Sequence, residues 1–254
     1  MRPVAGMSVL VTGGGSGLGA GIARHFCARG ARVTISGRRE HKLAEVAAEI
    51  GDACHAVSGD VTVDARRRAM VAAAVEHGGG RLDVLVNNAG NMYRGPLAEL
   101  DETELRKVFD SNVIGGMMLT QAALPHLVAA RGAVVFIGSV HSQRAFPGAS
   151  PYAATKGAVE TLTGVLAAEL GPQGVRVSCI RPGAVFTEIN QRAGLFDDET
   201  ALARLEGLAG AHALGRIGTV NEIAEAVEYV ACAEWTTGGV ITVDGGLALG
   251  VTNA

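Results

Sequence analysis

The sequence predicts an α/β fold: one doubly wound, seven-stranded parallel sheet with helices on both faces. Three observations carry this. Short apolar runs alternate with helix-periodic segments along the whole chain. The runs are nearly uniformly apolar, as strands covered on both faces must be, rather than alternating in polarity. The first run passes through a glycine-rich turn directly into a helix.

Taken in order, residues 7–12 form the first strand, and Gly13-Gly-Gly-Ser-Gly-Leu-Gly19 leads into a helix over 17–29 that Gly30 ends. Residues 31–36 are the second strand. A helix follows over 38–50, with Leu43, Val46, Ala47 and Ile50 on one face and Gly51 as its stop. The third strand covers 54–57. Asp60 then stands where it can cap the next helix, 64–77, which runs into three glycines. Strand four is 82–86, and it leads into Asn87-Asn88-Ala89-Gly90. A long helix starts at Asp101 or Thr103 and reaches about Leu127. Strand five is 133–137. Ser150 and Pro151 read as N-cap and first position of a helix continuing to 170. Strand six is 175–180. Residues 184–218 read as irregular, with a helix at 198–207 and a lid over 186–215. A helix over 220–232 and a strand over 240–243 close the sheet. Nothing reads as a linker, so residues 1–254 are expected to form one domain.

Composition narrows the function. At 254 residues and 48% hydrophobic, the chain can bury a large core. Its net charge of −3 gives no electrostatic footprint for nucleic acid. The sequence presents no signal-peptide pattern and no apolar run of membrane-spanning length, so a cytoplasmic protein without a membrane partner is expected. Cys27, Cys54, Cys179 and Cys232 are scattered, as are the histidines, so no metal site is expected.

Tyr152 and Lys156 lie four apart, hence on one helical face. An ammonium beside a phenol favours the phenolate, which would bring its pKa toward working pH. Such a pair suits a proton donor to a carbonyl or a base toward an alcohol. The glycine turn suits a pyrophosphate, because bare backbone and a helix N-terminus meet there. Together they point to oxidoreduction of a C=O/CH–OH pair with a dinucleotide.

The spacing Thr12-Gly13-x-x-x-Gly17-x-Gly19, with Asn87-Asn88-Ala89-Gly90, Ser139, Tyr152-x-x-x-Lys156 and Pro182-Gly183 in that order, resembles the short-chain dehydrogenase/reductase family. The resemblance runs from Val9 to Gly246 and implies a Rossmann-type fold. It implies catalytic roles for Asn112, Ser139, Tyr152 and Lys156. Ser139 would hold the substrate oxygen and Tyr152 transfer the proton. Lys156 would lower the tyrosine pKa and bind the nicotinamide ribose, and Asn112 would kink its helix and hold a water of the proton relay. The cofactor would be held by Gly13, Ser16, Gly17, Leu18, Gly19, Asp60, Val61, Asn88, Ala89, Gly90, Tyr152, Lys156, Pro182, Gly183, Val185 and Thr187.

The end of strand two decides the cofactor. An acid there would bond the ribose hydroxyls and repel a 2′-phosphate. This chain has Gly37, followed by Arg38 and Arg39, whose guanidinium forks suit a phosphate. NADP(H) is therefore favoured, with NAD(H) the alternative. Tyr93, His141, Arg144 and Arg192 are candidate substrate contacts. The expected activity is a carbonyl or 3-ketoacyl thioester reductase acting on a small-molecule ketone or alcohol. The alternatives are an NAD(H)-dependent sugar or polyol dehydrogenase, and a catalytically silent nucleotide sensor or scaffold. Small residues on the helices at 115–118 and 153–158, taken with the resemblance, lead to an expected homotetramer.

Overall fold

The computed structural model describes residues 1–187 and 207–250. Seven parallel strands form one sheet in the order β3-β2-β1-β4-β5-β6-β7. They are β1 Ser8–Thr12, β2 Arg32–Gly37, β3 Cys54–Ser58, β4 Val84–Asn87, β5 Ala133–Ile137, β6 Arg176–Pro182 and β7 Val240–Val243. The helices are α1 Gly17–Ala28, α2 Glu40–Ile50, α3 Asp64–His77, α4 Glu102–Phe109, α5 Gly115–Ala130, α6 Ser150–Leu170 and α7 Val220–Cys232.

Apolar runs form the central strands because both faces are covered. Alternate residues feed two separate cores. Val9, Val11, Val84, Val86, Val135 and Ile137 meet Ile22, Phe26, Leu43 and Ile223 from α1, α2 and α7. Leu10, Leu85, Val134 and Phe136 meet Met70, Leu119, Leu127 and Val159 from α3, α5 and α6. A strand with period two thus contributes to both layers.

The order reverses between β1 and β4, which pair with Val11 beside Val86. β4 continues to β5 with Asn87 beside Phe136. The carboxyl ends of these three strands open the crevice in which such sheets hold ligands. Thr12, Asn87 and Ile137 therefore deliver their following loops to one place.

Three expectations change locally. The long helix is interrupted by a π turn at Asp110–Ile114, which inserts a residue into the helical ladder around Asn112. The N-cap of α6 is Ala149, and Ser150 is the first helical residue. Asp60 does not cap α3, whose N-cap is Val63; its carboxylate accepts from Thr62 N and Thr62 Oγ1, both at 2.9 Å, in a local turn.

The helical span Glu102–Ala130 is also long and apolar enough, by length and composition, to cross a membrane, which the sequence reading did not anticipate. Leu119, Ala123 and Leu127 are buried against the sheet, while Ile114 and Met117 are exposed. The expected helix at 198–207 lies almost wholly outside the described residues, as does most of the expected lid.

Candidate active site

The glycine turn forms a bare backbone cradle. Gly13 and Gly17 have φ of +67° and +52°, values that a side chain would strain. A Cβ at Gly19 would lie 2.3 Å from the Gly13 carbonyl oxygen, so Gly19 brings α1 against the turn and does not line the cavity. Asn88 fixes the turn from β4: its Nδ2 donates to Thr12 O at 2.7 Å and Gly13 O at 3.3 Å. The Thr12 hydroxyl accepts from Asn88 N at 3.0 Å and Ala89 N at 2.9 Å. Ser16 is the N-cap of α1 but makes no capping bond, and the first turn contains no acid. The positive end of α1 is thus open to an anion.

The cradle forms part of a cavity of about 870 Å³. Ser16, Leu18, Gly37, Arg38, Arg39, Asp60, Val61, Asn88, Ala89 and Gly90 line it, as do Pro182, Gly183, Val185 and Thr187. Arg39 Nη2 donates to Ser16 Oγ at 2.7 Å, and Arg38 Nη2 to Asn91 Oδ1 at 3.2 Å. Arg38 also lies 3.9 Å from the Asp60 carboxylate. The cleft, the bare turn and two guanidinium groups fit a pyrophosphate dinucleotide.

Tyr152 and Lys156 project from the buried face of α6 into the same cavity, each 6% exposed. Lys156 Nζ donates to Ile137 O at 2.7 Å and lies 5.4 Å from the centre of the Tyr152 ring. Burial pushes the Tyr152 phenol up to about 12, opposed by the Ser139 hydroxyl. It pushes the Lys156 ammonium down to about 8, opposed by Cys179 and Glu160. Desolvation dominates the phenol, and the expected lowering by the lysine is not among the influences that oppose it.

Ser139 follows β5, and its Oγ lies 3.1 Å from His141 Nδ1. Asn112 is buried in the π turn. Its Oδ1 accepts from Asn91 N at 2.8 Å and Ser111 Oγ at 2.9 Å. Its Nδ2 donates to Asn91 O at 2.9 Å and Thr155 Oγ1 at 3.1 Å. The side chain thus ties the loop after β4 to α6, one residue before Lys156. Its hydrogen bonds close on these neighbours and leave none to the lysine.

The substrate candidates divide. Tyr93 and His141 line the cavity. Arg144 does not; its Nη1 donates to Leu247 O at 2.6 Å and holds the C-terminal turn. Arg192 lies outside the described residues. Sequence reasoning did not single out Asn91, Ser111, Thr155, Leu208 or Leu247. Asn91 beside Gly90, Ser111 beside Asn112 and Thr155 inside Tyr152-x-x-x-Lys156 had neighbouring motifs that could have pointed to them. Among the described residues, no three His, Cys, Asp or Glu gather as a metal site.

A dinucleotide cradle, a buried Tyr–Lys pair and a serine at one sheet edge define an NAD(P)-dependent dehydrogenase or reductase. The chain matches the short chain dehydrogenase family over residues 7–197 and belongs to it. It is 40% identical over 251 residues to L-fucose dehydrogenase from Bos taurus, covering 97% of this chain and 91% of that protein. It is 35% identical over 247 residues to a 3-oxoacyl-[acyl-carrier-protein] reductase from Chlamydia muridarum, covering 95% and 97%. The crystal structure of a 3-ketoacyl-(acyl-carrier-protein) reductase from Brucella melitensis complexed with NADH is similar at 31% identity and TM-score 0.86, covering 96% and 99%.

Proposed function

We propose that the chain is an NADP(H)-dependent reductase interconverting a small-molecule ketone and a secondary alcohol, with Tyr152 as proton donor and acceptor. The observation that carries this is the placement of Tyr152, Lys156 and Ser139 along the cavity that begins at the glycine cradle. The bound nicotinamide would give or take the hydride. Ser139 Oγ and the Tyr152 hydroxyl hold the substrate oxygen, where negative charge develops. Tyr152 passes its proton to that oxygen and becomes a phenolate. Lys156, with its ammonium held near 8, is still cationic at neutral pH and attracts that phenolate. Asn112 keeps α6 and the loop after β4 in register.

The preference for NADP(H) is supported by Gly37, Arg38 and Arg39 on the cavity wall, where Gly37 rather than an acid ends β2. The runner-up, an NAD(H)-dependent sugar or polyol dehydrogenase, is favoured by the similarity to L-fucose dehydrogenase. The presence of Tyr152, Lys156 and Ser139 argues against a silent sensor. The similarity to the Chlamydia muridarum enzyme supports a ketoacyl thioester as substrate. Titration with NADPH and NADH separately, then a panel of ketones, ketoacyl thioesters and polyols read by nicotinamide absorbance, tests these readings. A tenfold preference for NADH would sink the assignment to NADP(H).

We further propose that residues 1–254 act as one domain in a cytoplasmic homotetramer, without nucleic-acid or membrane partners. Exposed Ile114 and Met117 on the long helix and Val165 on α6 support one interface, and exposed Trp235 and Leu249 support another. Light scattering should give four times the 25.9 kDa chain mass, and a monomer would refute the assembly.

A further inference from the structure

His141 lines the cavity beside Ser139 and Tyr152. His141 stacks on Phe146, with ring centroids 4.3 Å apart and planes 29° apart. It meets the Tyr152 ring edge-on at 5.2 Å and 86°. The short 3₁₀ turn Val140–Ser142 folds it back over Ser139, so that Nδ1 lies 3.1 Å from Ser139 Oγ. Ring position and tilt are thereby set, and the location of the ring proton remains to be assigned.

The demand that Ser139 keep its proton for a substrate oxygen assigns it. A serine hydroxyl has one proton and two acceptor lone pairs. Ser139 Oγ already accepts from His141 N at 3.3 Å. With a bare Nδ1, the 3.1 Å contact would consume the only proton of Ser139, leaving none for a substrate oxygen. With a protonated Nδ1, the second lone pair is filled and the hydroxyl proton is free to turn toward Tyr152. The Ser139 hydroxyl opposes the upward shift of the Tyr152 phenol.

We propose that His141 is a positioning residue: a neutral imidazole, protonated at Nδ1, that donates to Ser139 Oγ and aims the single serine proton at the reacting oxygen. Burial, together with the charges of Arg94 and Lys156, pushes the imidazole down to about 4, so the ring is neutral near pH 7. Among the described residues no group hydrogen-bonds Nε2 or competes for the proton there. Both the role in turnover and the argument for the ring proton rest on the reductase reading, whereas the ring signal can be read without turnover.

Solid-state ¹⁵N NMR of the full chain labelled in its histidine rings, with His141→Phe to assign the signal, reads the proton directly. The expected result is a protonated Nδ1 and a bare Nε2, and a bare Nδ1 overturns the proposal. Kinetics on the ketone turned over fastest give a second reading. His141→Asn places an amide N–H near Nδ1 and should keep kcat within about threefold, whereas His141→Phe keeps the stacking and should lose roughly fivefold to tenfold in kcat with little change in KM. Equal losses in both variants would contradict the positioning role. If no ketone is turned over, the reductase reading fails while the ring signal still decides the proton.

Discussion

Lys156→Met should make the fold more stable while ending turnover. The ammonium is buried beneath the cavity, and burial takes its pKa from 10.5 to about 8. At roughly 1.4 kcal/mol per tenfold, holding that charge costs the folded state about 3 kcal/mol at pH 7. Methionine removes the charge at similar volume but also removes the 2.7 Å bond to Ile137 O. That loss costs about 1 kcal/mol. The net gain of about 2 kcal/mol corresponds to a Tm rise of about 4–8 °C for a chain of this size. The gain must also depend on pH. Between about 8 and 10.5 the unfolded lysine still binds the proton that the folded one has released. Wild-type stability therefore climbs with pH across that window, and the advantage of the variant fades. Calorimetry of cofactor-free protein at several pH values from 7 to above 10 checks this. A folded variant that melts at or below wild type at pH 7, or a difference that does not change with pH, would refute the reasoning.

Three further outcomes follow from named contacts. Arg38→Ala should weaken NADPH binding about tenfold and leave NADH nearly unchanged, as measured by fluorescence titration. Arg144→Ala should cost about 1 kcal/mol in urea unfolding and leave substrate KM within about threefold, because its guanidinium holds the Leu247 carbonyl rather than the cavity. Glu160→Ala should cost about 3 kcal/mol in the same assay: the carboxylate accepts from Arg181 Nε at 2.9 Å and Nη2 at 2.7 Å, and its loss leaves that buried arginine without this counter-ion, held among the described residues only by Thr242 Oγ1 at 2.8 Å.

The parts legible in the sequence were those with local signals. Apolar runs marked all seven strands to within one or two residues, and the glycine spacing marked the cradle. Tyr152 and Lys156 were legible because helical geometry alone puts them on one face. The break in the long helix was legible only through the resemblance, which implied a kink at Asn112; local pattern does not mark the π turn, because Asp110–Ile114 hydrogen-bonds like a helix and differs only by one inserted residue. Arg144 was misjudged because an arginine in a loop has no local sign of whether it meets a ligand or a distant carbonyl. Its partner, Leu247, is 103 residues away. Burial was the other blind spot. Sequence spacing brings a lysine beside a phenol, but the desolvation that raises one pKa and lowers the other depends on the whole cavity wall.

In the proposed reaction the phenol of Tyr152 delivers the proton in ketone reduction. Tyr152→Phe removes one oxygen from a side chain whose ring packing is otherwise retained. Single-turnover oxidation of NADPH with the best ketone of the panel tests the claim most directly. The expected result is unchanged NADPH affinity with a chemical step slowed by at least about a hundredfold. A variant that reduces the ketone at the wild-type rate would contradict the account.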